Sequence, residues 1–514
     1  MTADTTGRPR SNWDPARHYR KGRDGNPRPT AFGPEPLPEA ESLEERAMAK
    51  GNSDHASAVT QTQSWGQALT GLGRVREAAK RDKHLRFTSL MDHVTVRLLR
   101  EAFFALKRNA AAGVDDVTWV DYRSGLLARL EDLHDRVQTG RYRARPSRRA
   151  LISKEDGTDR KLGISAMEDK IVQQALAWIM EAIYEVDFVG FSYGFRPGRS
   201  QHQALDALAA SIKGHKVNWI LDADIRTFFD SVSHDWLLRF LEHRIADPRV
   251  LRLIKKWLKA GVMENDKWCP TTVGTPQGAV ISPILANVFL HYAFDLWVQG
   301  WRTQRARGPV YVIRYADDIV IGFKNRDDAM RLRAALSRRL ARFDLELHPA
   351  KTRVIEFGRF AAIDRQRRGV GKPETFNFLG FTHICSTQFT DGKYKLLRIT
   401  RKERLQRKYR ECRDWLWRNR ETPVTYQGAW LRRVLRGYYQ YAAVPGNLDA
   451  LYSLRYALGR AWRRALRRRS QKGSRLNWQR MQRYVDRWLP LPVVCHPYPE
   501  QRFASSTRGR SRMR

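Results

Sequence analysis

Two carboxylates stand side by side in "YVIRYADDIVIGF" (Tyr311 to Phe323), where Asp317 and Asp318 separate two apolar, β-branched runs. Adjacent like charges in an apolar setting raise the cost of ionising one another unless a positive partner is present. Upstream, "WILDADIRTFFD" carries Asp222 and Asp224, two apart and so on one face of a regular strand. For either pair, an exposed turn or a basic side-chain partner is the plain structural alternative. The chemical alternative is a divalent cation. Carboxylate oxygens on rigid elements suit Mg²⁺, and two such ions about 4 Å apart clamp the attacking and leaving oxygens of an in-line phosphoryl transfer. About 90 residues separate Asp224 from the Asp317–Asp318 pair, so this chemistry requires a fold that closes the gap.

The elements that would do so are legible in the periodicity. "VNWILDADI" reads as a buried strand, and the two apolar runs around Asp317 as a β-hairpin with the acidic pair at its tip. "SRRALISKEDGTDRKLGIS" reads as a second hairpin turning at Gly157. Leu98, Leu99, Ala102, Phe103 and Leu106 recur at helical spacing. Helices are also expected over Leu126–Val137, Glu168–Tyr184, Gln201–Ile212, Asp235–His243 and Val250–Ala260. "GTPQGAVISPILANVFLHYAFDLWVQGW" should be a loop running into one long helix, and "AMRLRAALSRRLARFDLEL" a helix and a strand. Residues 1–60, rich in Pro, Gly, Ser and charge, read as a disordered basic extension.

The charge balance limits the partners. Lys and Arg total 94 against 54 Asp and Glu, a net +40. Such a chain attracts polyanions, and nucleic acid is favoured because each neutralised phosphate releases a counterion. The rival partner, a membrane surface, gains no support from a spanning segment: there is no apolar run of about 18 residues. Nor does the beginning of the sequence resemble a signal peptide. Cys269, Cys385, Cys412 and Cys495 form no C-x-x-C pair, which argues against a zinc ribbon and for a reducing, cytoplasmic setting. From 401 to 480 there are 22 Lys or Arg against 5 Asp or Glu, with Trp and Tyr interleaved. A basic, aromatic-bearing helical segment of this kind suits RNA; its plain alternative is a solvated helix surface.

Seven stretches in order complete the pattern: the Lys154 region, "SYGFRPGRS", "DADIRTFFD", "GTPQG", "YADD", "LELHPAKTR" and "FLGF". Together they resemble reverse transcriptases, and "SYGFRPGRS" and "GTPQGAVISPILANVFL" resemble those encoded by bacterial group II introns. The resemblance spans roughly residues 86 to 500. It implies an α+β right-hand polymerase, with fingers and an antiparallel palm sheet over 61–365. An α-helical thumb or maturase domain would span 366–490, and a short basic tail 491–514. It implies RNA-directed DNA synthesis, with a second role of binding intron RNA to assist splicing and mobility. The partners would be intron RNA, an RNA template with a DNA primer, deoxynucleotides and target DNA. The alternatives are an intron-free reverse transcriptase recruited to a host or defence role, and a splicing factor with no polymerase role.

Residue by residue, the resemblance makes Asp224, Asp317 and Asp318 the catalytic ligands of two Mg²⁺ ions (or Mn²⁺), with the Ile225 carbonyl as a further ligand. Phe229 falls where the family excludes the ribose 2′-hydroxyl; core packing is its plain alternative. Gln277 and Gly278 would lie along the incoming nucleotide, Lys154 and Arg160 would reach its triphosphate, and Lys351 would protonate pyrophosphate. Nucleic acid would be met by Arg196, Arg199, Phe378 and Gly380. Farther along, Arg432, Arg433, Arg436, Tyr438, Tyr439, Arg463, Arg464, Arg467 and Arg468 would do the same. Lys161 and Ser165 replace prolines usual in the family, and Asp116 replaces a glycine. With only Cys495 and His496 near the end, no H-N-H endonuclease domain is expected, so mobility would need a primer from elsewhere.

Overall fold

The computed structural model describes residues 70–153, 159–264, 267–388, 391–499 and 501. Lys154, Gly157, the 1–60 extension and residues 502–514 of the tail lie outside the described residues. The strands are β1 (Ser147–Ser153), β2 (Asp159–Ile164), β3 (Trp219–Asp224), β4 (Val262–Glu264), β5 (Lys267–Cys269), β6 (Val310–Tyr315), β7 (Asp318–Phe323), β8 (Arg353–Glu356), β9 (Phe376–Phe378), β10 (Phe381–Thr387) and β11 (Tyr394–Thr400). They form three sheets of order β2-β1-β4-β5, β6-β7-β3-β8 and β11-β10-β9. Two compact units are present, one ending at Arg398 and the other covering Ile399–Pro497.

The first unit is built around β6-β7-β3-β8, whose ladders are all antiparallel. Its strands are largely apolar because both faces are covered: Leu221, Ile319, Ile321 and Phe323 on one face are buried with Phe289, Phe294, Leu336 and Leu340, and Ile220, Ile313 and Val320 on the other face are buried as well. Each such side chain contributes about 1.5–3 kcal/mol on burial. Helix Met167–Asp187 runs through the same core, with Ile171, Leu176, Ile179 and Ile183 wholly buried. Glu168 and Asp169 in its first turn complement the helix dipole. Helix Gln201–Gly214 starts at a capping box in which Ser200 and Gln203 satisfy each other's backbone amides.

The antiparallel α+β expectation holds, and the hairpins and helices fall close to their expected ranges. Three details differ. The long helix after "GTPQG" is interrupted: Ser282–Leu290 and Leu296–Gln304 are joined by a π-helical turn, His291–Asp295. The strand expected at "LEL" shrinks to one bridge between Ile225 and Leu347. The units divide at 398/399, not 365/366, because the β9–β11 sheet is tied to the first unit. Arg398 pairs with Asp206 at 2.8 Å, both buried, and the Phe357 and Phe376 rings meet edge-to-face at 4.9 Å.

The second unit is helical: Lys402–Arg418, Val424–Ala442, Leu448–Arg467 and Trp478–Trp488 are its long helices. Leu416, Leu431, Leu435, Leu458, Trp462 and Met481 form its own core. The indole of Trp462 donates to the Gln427 side chain at 2.7 Å, so the one polar atom of the largest core residue is satisfied. Among the described residues no helix is long and apolar enough to cross a membrane.

Candidate active site

The ladder register closes the gap in sequence. β3 pairs with β7 so that Asp224 lies directly opposite Asp318. β6 pairs with β7 so that Tyr315 faces Asp318, leaving Ala316 and Asp317 as the hairpin tip. All three carboxylates therefore gather at one edge of the central sheet. Asp318 is exposed and Asp224 and Asp317 are half-buried. Burial, and then the charge of Asp224, raise the Asp317 carboxyl above the usual carboxylate range, while Arg160 and Arg314 pull it down. Asp222 is pushed up to about 6 by burial, against the opposing pull of Arg353 at 3.6 Å.

The donor chemistry fits a divalent cation: hard oxygens, excess negative charge, rigid strands. The two hydrogen bonds flanking the Ile225–Leu347 bridge run from His348 N–H to the Asp224 carbonyl and from Arg226 N–H to the Glu346 carbonyl. In such a pair the bridged residue's own carbonyl turns away from its partner strand, here to the β7 side. Among the described residues no three acidic, His or Cys side chains close into a finished cage. Lys351 is the cation at hand: its Nζ stands 3.3 Å from Asp224 Oδ2.

The surrounding motifs converge on the same edge. Phe228 is buried in the core, while Phe229 is half-buried and packs against the same core, leaving part of its ring exposed. Gly274, at φ +90, lies where a Cβ would come within 2.9 Å of the Phe229 and Asp230 carbonyls. Thr275 N–H donates to the Phe229 carbonyl at 2.8 Å, and Gly163 N–H of β2 donates to the Gln277 carbonyl at 2.6 Å. Gly278, at φ +107, faces the Gly163 carbonyl, with room for a Cβ only at 3.0 Å. The Gln277 loop is thereby held between Phe229 and the β1–β2 hairpin. Asp116 adopts φ +51, the left-handed conformation a glycine would take, and pairs with Arg148 at 2.9 Å.

Several expected nucleic-acid contacts are placed otherwise. Arg196 is buried: its guanidinium donates to Glu185 and to the Val189 and Ser192 carbonyls, so its charge is turned inward and organises the "SYGFRPGRS" loop. Arg199, half-buried, donates to the Gly190 carbonyl and lies over the Tyr193 ring. Phe378 is buried opposite Phe381, and Leu379 and Gly380, both at positive φ, make the turn between them; contact there would come from the turn and not the ring. Tyr439 belongs to the helical core, with Tyr438 half-buried beside it. Arg432 lies over the Trp488 ring at 4.8 Å, and Arg433 and Arg436 are exposed. Arg463, Arg464, Arg467 and Arg468 line a concavity of about 950 Å³ with Tyr456 and Trp478. Two residues escaped the sequence reading, Gly194 and Arg314. The signal for Arg314 was present: a charge inside an otherwise apolar strand must have a partner.

Residues 152–383 match the family described as reverse transcriptase (RNA-dependent DNA polymerase). The chain is 34% identical over 250 residues to protein YkfC of Escherichia coli, covering 43% of this chain and 66% of that protein. It is 38% identical over 164 residues to the group II intron-encoded protein LtrA of Lactococcus lactis, covering 32% and 27% respectively. It is 24% identical over 213 residues to the mitochondrial nuclear intron maturase 3 of Arabidopsis thaliana, covering 37% and 28%. The matched segments span no more than 66% of these relatives' own length.

Proposed function

We propose that this chain, whose residues 152–383 are a reverse transcriptase domain related to those of group II intron-encoded proteins, copies RNA into DNA and binds its intron RNA to assist splicing and mobility. One observation carries the polymerase reading: the register that sets Asp224 against Asp318 with Asp317 at the adjoining tip. Reverse transcriptases generally use divalent metals, and here Asp224, Asp317, Asp318 and the Ile225 carbonyl would hold two ions, Mg²⁺ or Mn²⁺. The ions, when bound, would supply the Lewis acidity that stabilises charge on the transferring phosphoryl group.

The protein's own groups do the rest. Arg160, with Lys154 near it in sequence, binds the triphosphate of a deoxynucleotide by charge-assisted contacts. The half-buried Phe229 ring crowds the 2′ position, and the Gln277 loop, fixed on Phe229, lines the base and sugar. Lys351, within reach of Asp224, shields the carboxylate charge and can hand a proton to departing pyrophosphate. The arginine-lined concavity and the exposed Arg433 and Arg436 would bind intron RNA, the template–primer or target DNA.

The test is deoxynucleotide incorporation on a primed RNA template with Mg²⁺. Incorporation by wild type and its loss in Asp317→Asn, with RNA affinity retained, is the expected result. A wild type that extends no primer overturns the polymerase role and leaves the splicing factor. For the maturase role, wild type should accelerate splicing of the intron flanking its gene. A gene without a folded intron around it would instead favour a reverse transcriptase serving the host.

A further inference from the structure

We propose that Arg314 is the positioning residue for Asp317: it locks the peptide that joins Ala316 to Asp317 and so sets the direction of that carboxylate. The inference rests on the polymerase reading above and adds to it a residue outside the seven motifs.

A guanidinium that is fully buried, as Arg314 is, must have its charge and all its donors satisfied. Its Nε donates to Asp295 Oδ1 at 2.7 Å and one Nη2 hydrogen to Asp295 Oδ2. The other Nη2 hydrogen goes to Ser192 Oγ at 2.7 Å. Nη1 donates to Asn287 Oδ1 and to the Ala316 carbonyl, each at 3.0 Å. These contacts use all five N–H groups that an arginine possesses. Asp295 is also fully buried, so the pair is neutral and dry.

Four of the five contacts anchor the guanidinium, and the fifth reaches the catalytic tip. Asp295 closes the π-helical turn, and Asn287 lies in the helix before it. Removing the π insertion would rotate Asp295 by about 100° around the helix axis, away from Arg314. The interruption of the helix thus has a use. At the tip, Ala316 sits at φ +54, a conformation that a residue bearing a Cβ leaves unless its surroundings hold it. The bond from Arg314 to the Ala316 carbonyl holds it from below. From the side, Asn287 Nδ2 donates to the Gly194 carbonyl at 2.8 Å, and Gly194 packs so closely that a Cβ there would come within 2.3 Å of the Ala316 nitrogen. A lysine keeps the charge but, with one ammonium, cannot span Asp295, Ser192, Asn287 and Ala316 together.

The experiment compares full-length wild type, Arg314→Lys, and Arg314→Lys combined with Ala316→Gly. Glycine adopts positive φ without strain, so it should replace what the guanidinium enforces. Arg314→Lys is expected to lower kcat about a hundredfold, with KM for deoxynucleotide and RNA affinity within twofold. The affinity of the nucleotide-free protein for Mn²⁺, read by electron paramagnetic resonance, should weaken in step. Ala316→Gly in that background should recover kcat and Mn²⁺ affinity about tenfold. Because Arg314→Lys can fail to fold, Asn287→Ala provides the milder variant, with an expected tenfold loss of kcat at an unchanged melting temperature. A folded variant with wild-type kcat and Mn²⁺ affinity, or a loss that Ala316→Gly does not relieve, overturns the inference. Failure of wild type to extend a primer overturns the polymerase reading instead.

Discussion

At the scale of single residues, the three carboxylates proposed as metal ligands differ in environment. Asp318 is exposed, Asp224 is braced by Lys351, and Asp317 resists ionisation because of burial and its neighbour Asp224. We expect Asp224→Asn or Asp317→Asn to reduce incorporation at least about a thousandfold, ~4 kcal/mol of transition-state stabilisation, while RNA affinity stays nearly constant. Phe229→Ala should lower the preference for deoxy- over ribonucleotides, as a ratio of kcat/KM, by about a hundredfold. Competition between the two nucleotides in one extension assay measures this. A residue remote in role from the chemistry contributes to the pH dependence of stability. His383 is fully buried, stacked on Phe376 at 4.7 Å, and its imidazole is pushed down to about 3 by burial and then by Arg398. In the unfolded chain the same ring titrates near its ordinary 6.5. Between those values the unfolded state binds the extra proton, so this group's stabilising contribution is present above about 6.5 and is lost as pH falls toward 3. The loss is about 2 kcal/mol by pH 5. Asp169 and Asp222, pushed up to about 6, act in the opposite sense. The comparison is therefore variant against wild type: His383→Leu should lose less melting temperature between pH 7 and pH 5.

At the scale of elements, the hairpin β6–β7 does not stand alone. The segment from Phe191 to Gly194 runs beside β6, with Tyr193 N–H donating to the Arg314 carbonyl at 2.8 Å and Arg314 N–H to the Phe191 carbonyl at 2.9 Å. Gly194 then passes under the tip where no side chain fits. Gly194→Ala must displace backbone on one side or the other. It should cost about 1–3 kcal/mol of stability and, by moving Asp317 about 1 Å, about a hundredfold in kcat. Thermal melting and single-turnover extension would separate the two effects. The same logic gives a reason for the buried arginine of "SYGFRPGRS": Arg196 pins the loop that carries Gly194.

At the scale of the whole molecule, net charge dominates what the chain meets first. A surplus of 40 positive charges favours any polyanion, and the concavity lined by Arg463, Arg464, Arg467 and Arg468 gathers part of it into one place. RNA affinity should fall steeply with salt. Replacing these four arginines by glutamine should reduce the log–log slope by about one for each phosphate left without its cation. Affinity that stays flat between low and moderate salt would contradict the role given to this surface.

What the sequence determined by itself was which carboxylates are candidates for the chemistry and which elements bear them. Asp224, Asp317 and Asp318 stand out because charges at the ends of apolar strands are costly, and strand and helix periodicities are local properties carried by neighbours in the chain. The hairpin containing Asp317 and the helices at 167, 201 and 248 were legible for that reason. Tertiary structure alone decided the rest, because it depends on which surfaces meet. Sequence could not say that Asp224 faces Asp318, that Arg196 and Phe378 turn inward, or that β9–β11 belongs with the first unit. Nor could it say that a helix yields one π turn so that Asp295 meets Arg314. A register is a pairing between distant segments, and a buried charge finds its partner only where packing brings one. The candidate carboxylates were visible one by one, and so was the buried charge of Arg314, whereas the partners each of them meets appeared only when the chain was closed.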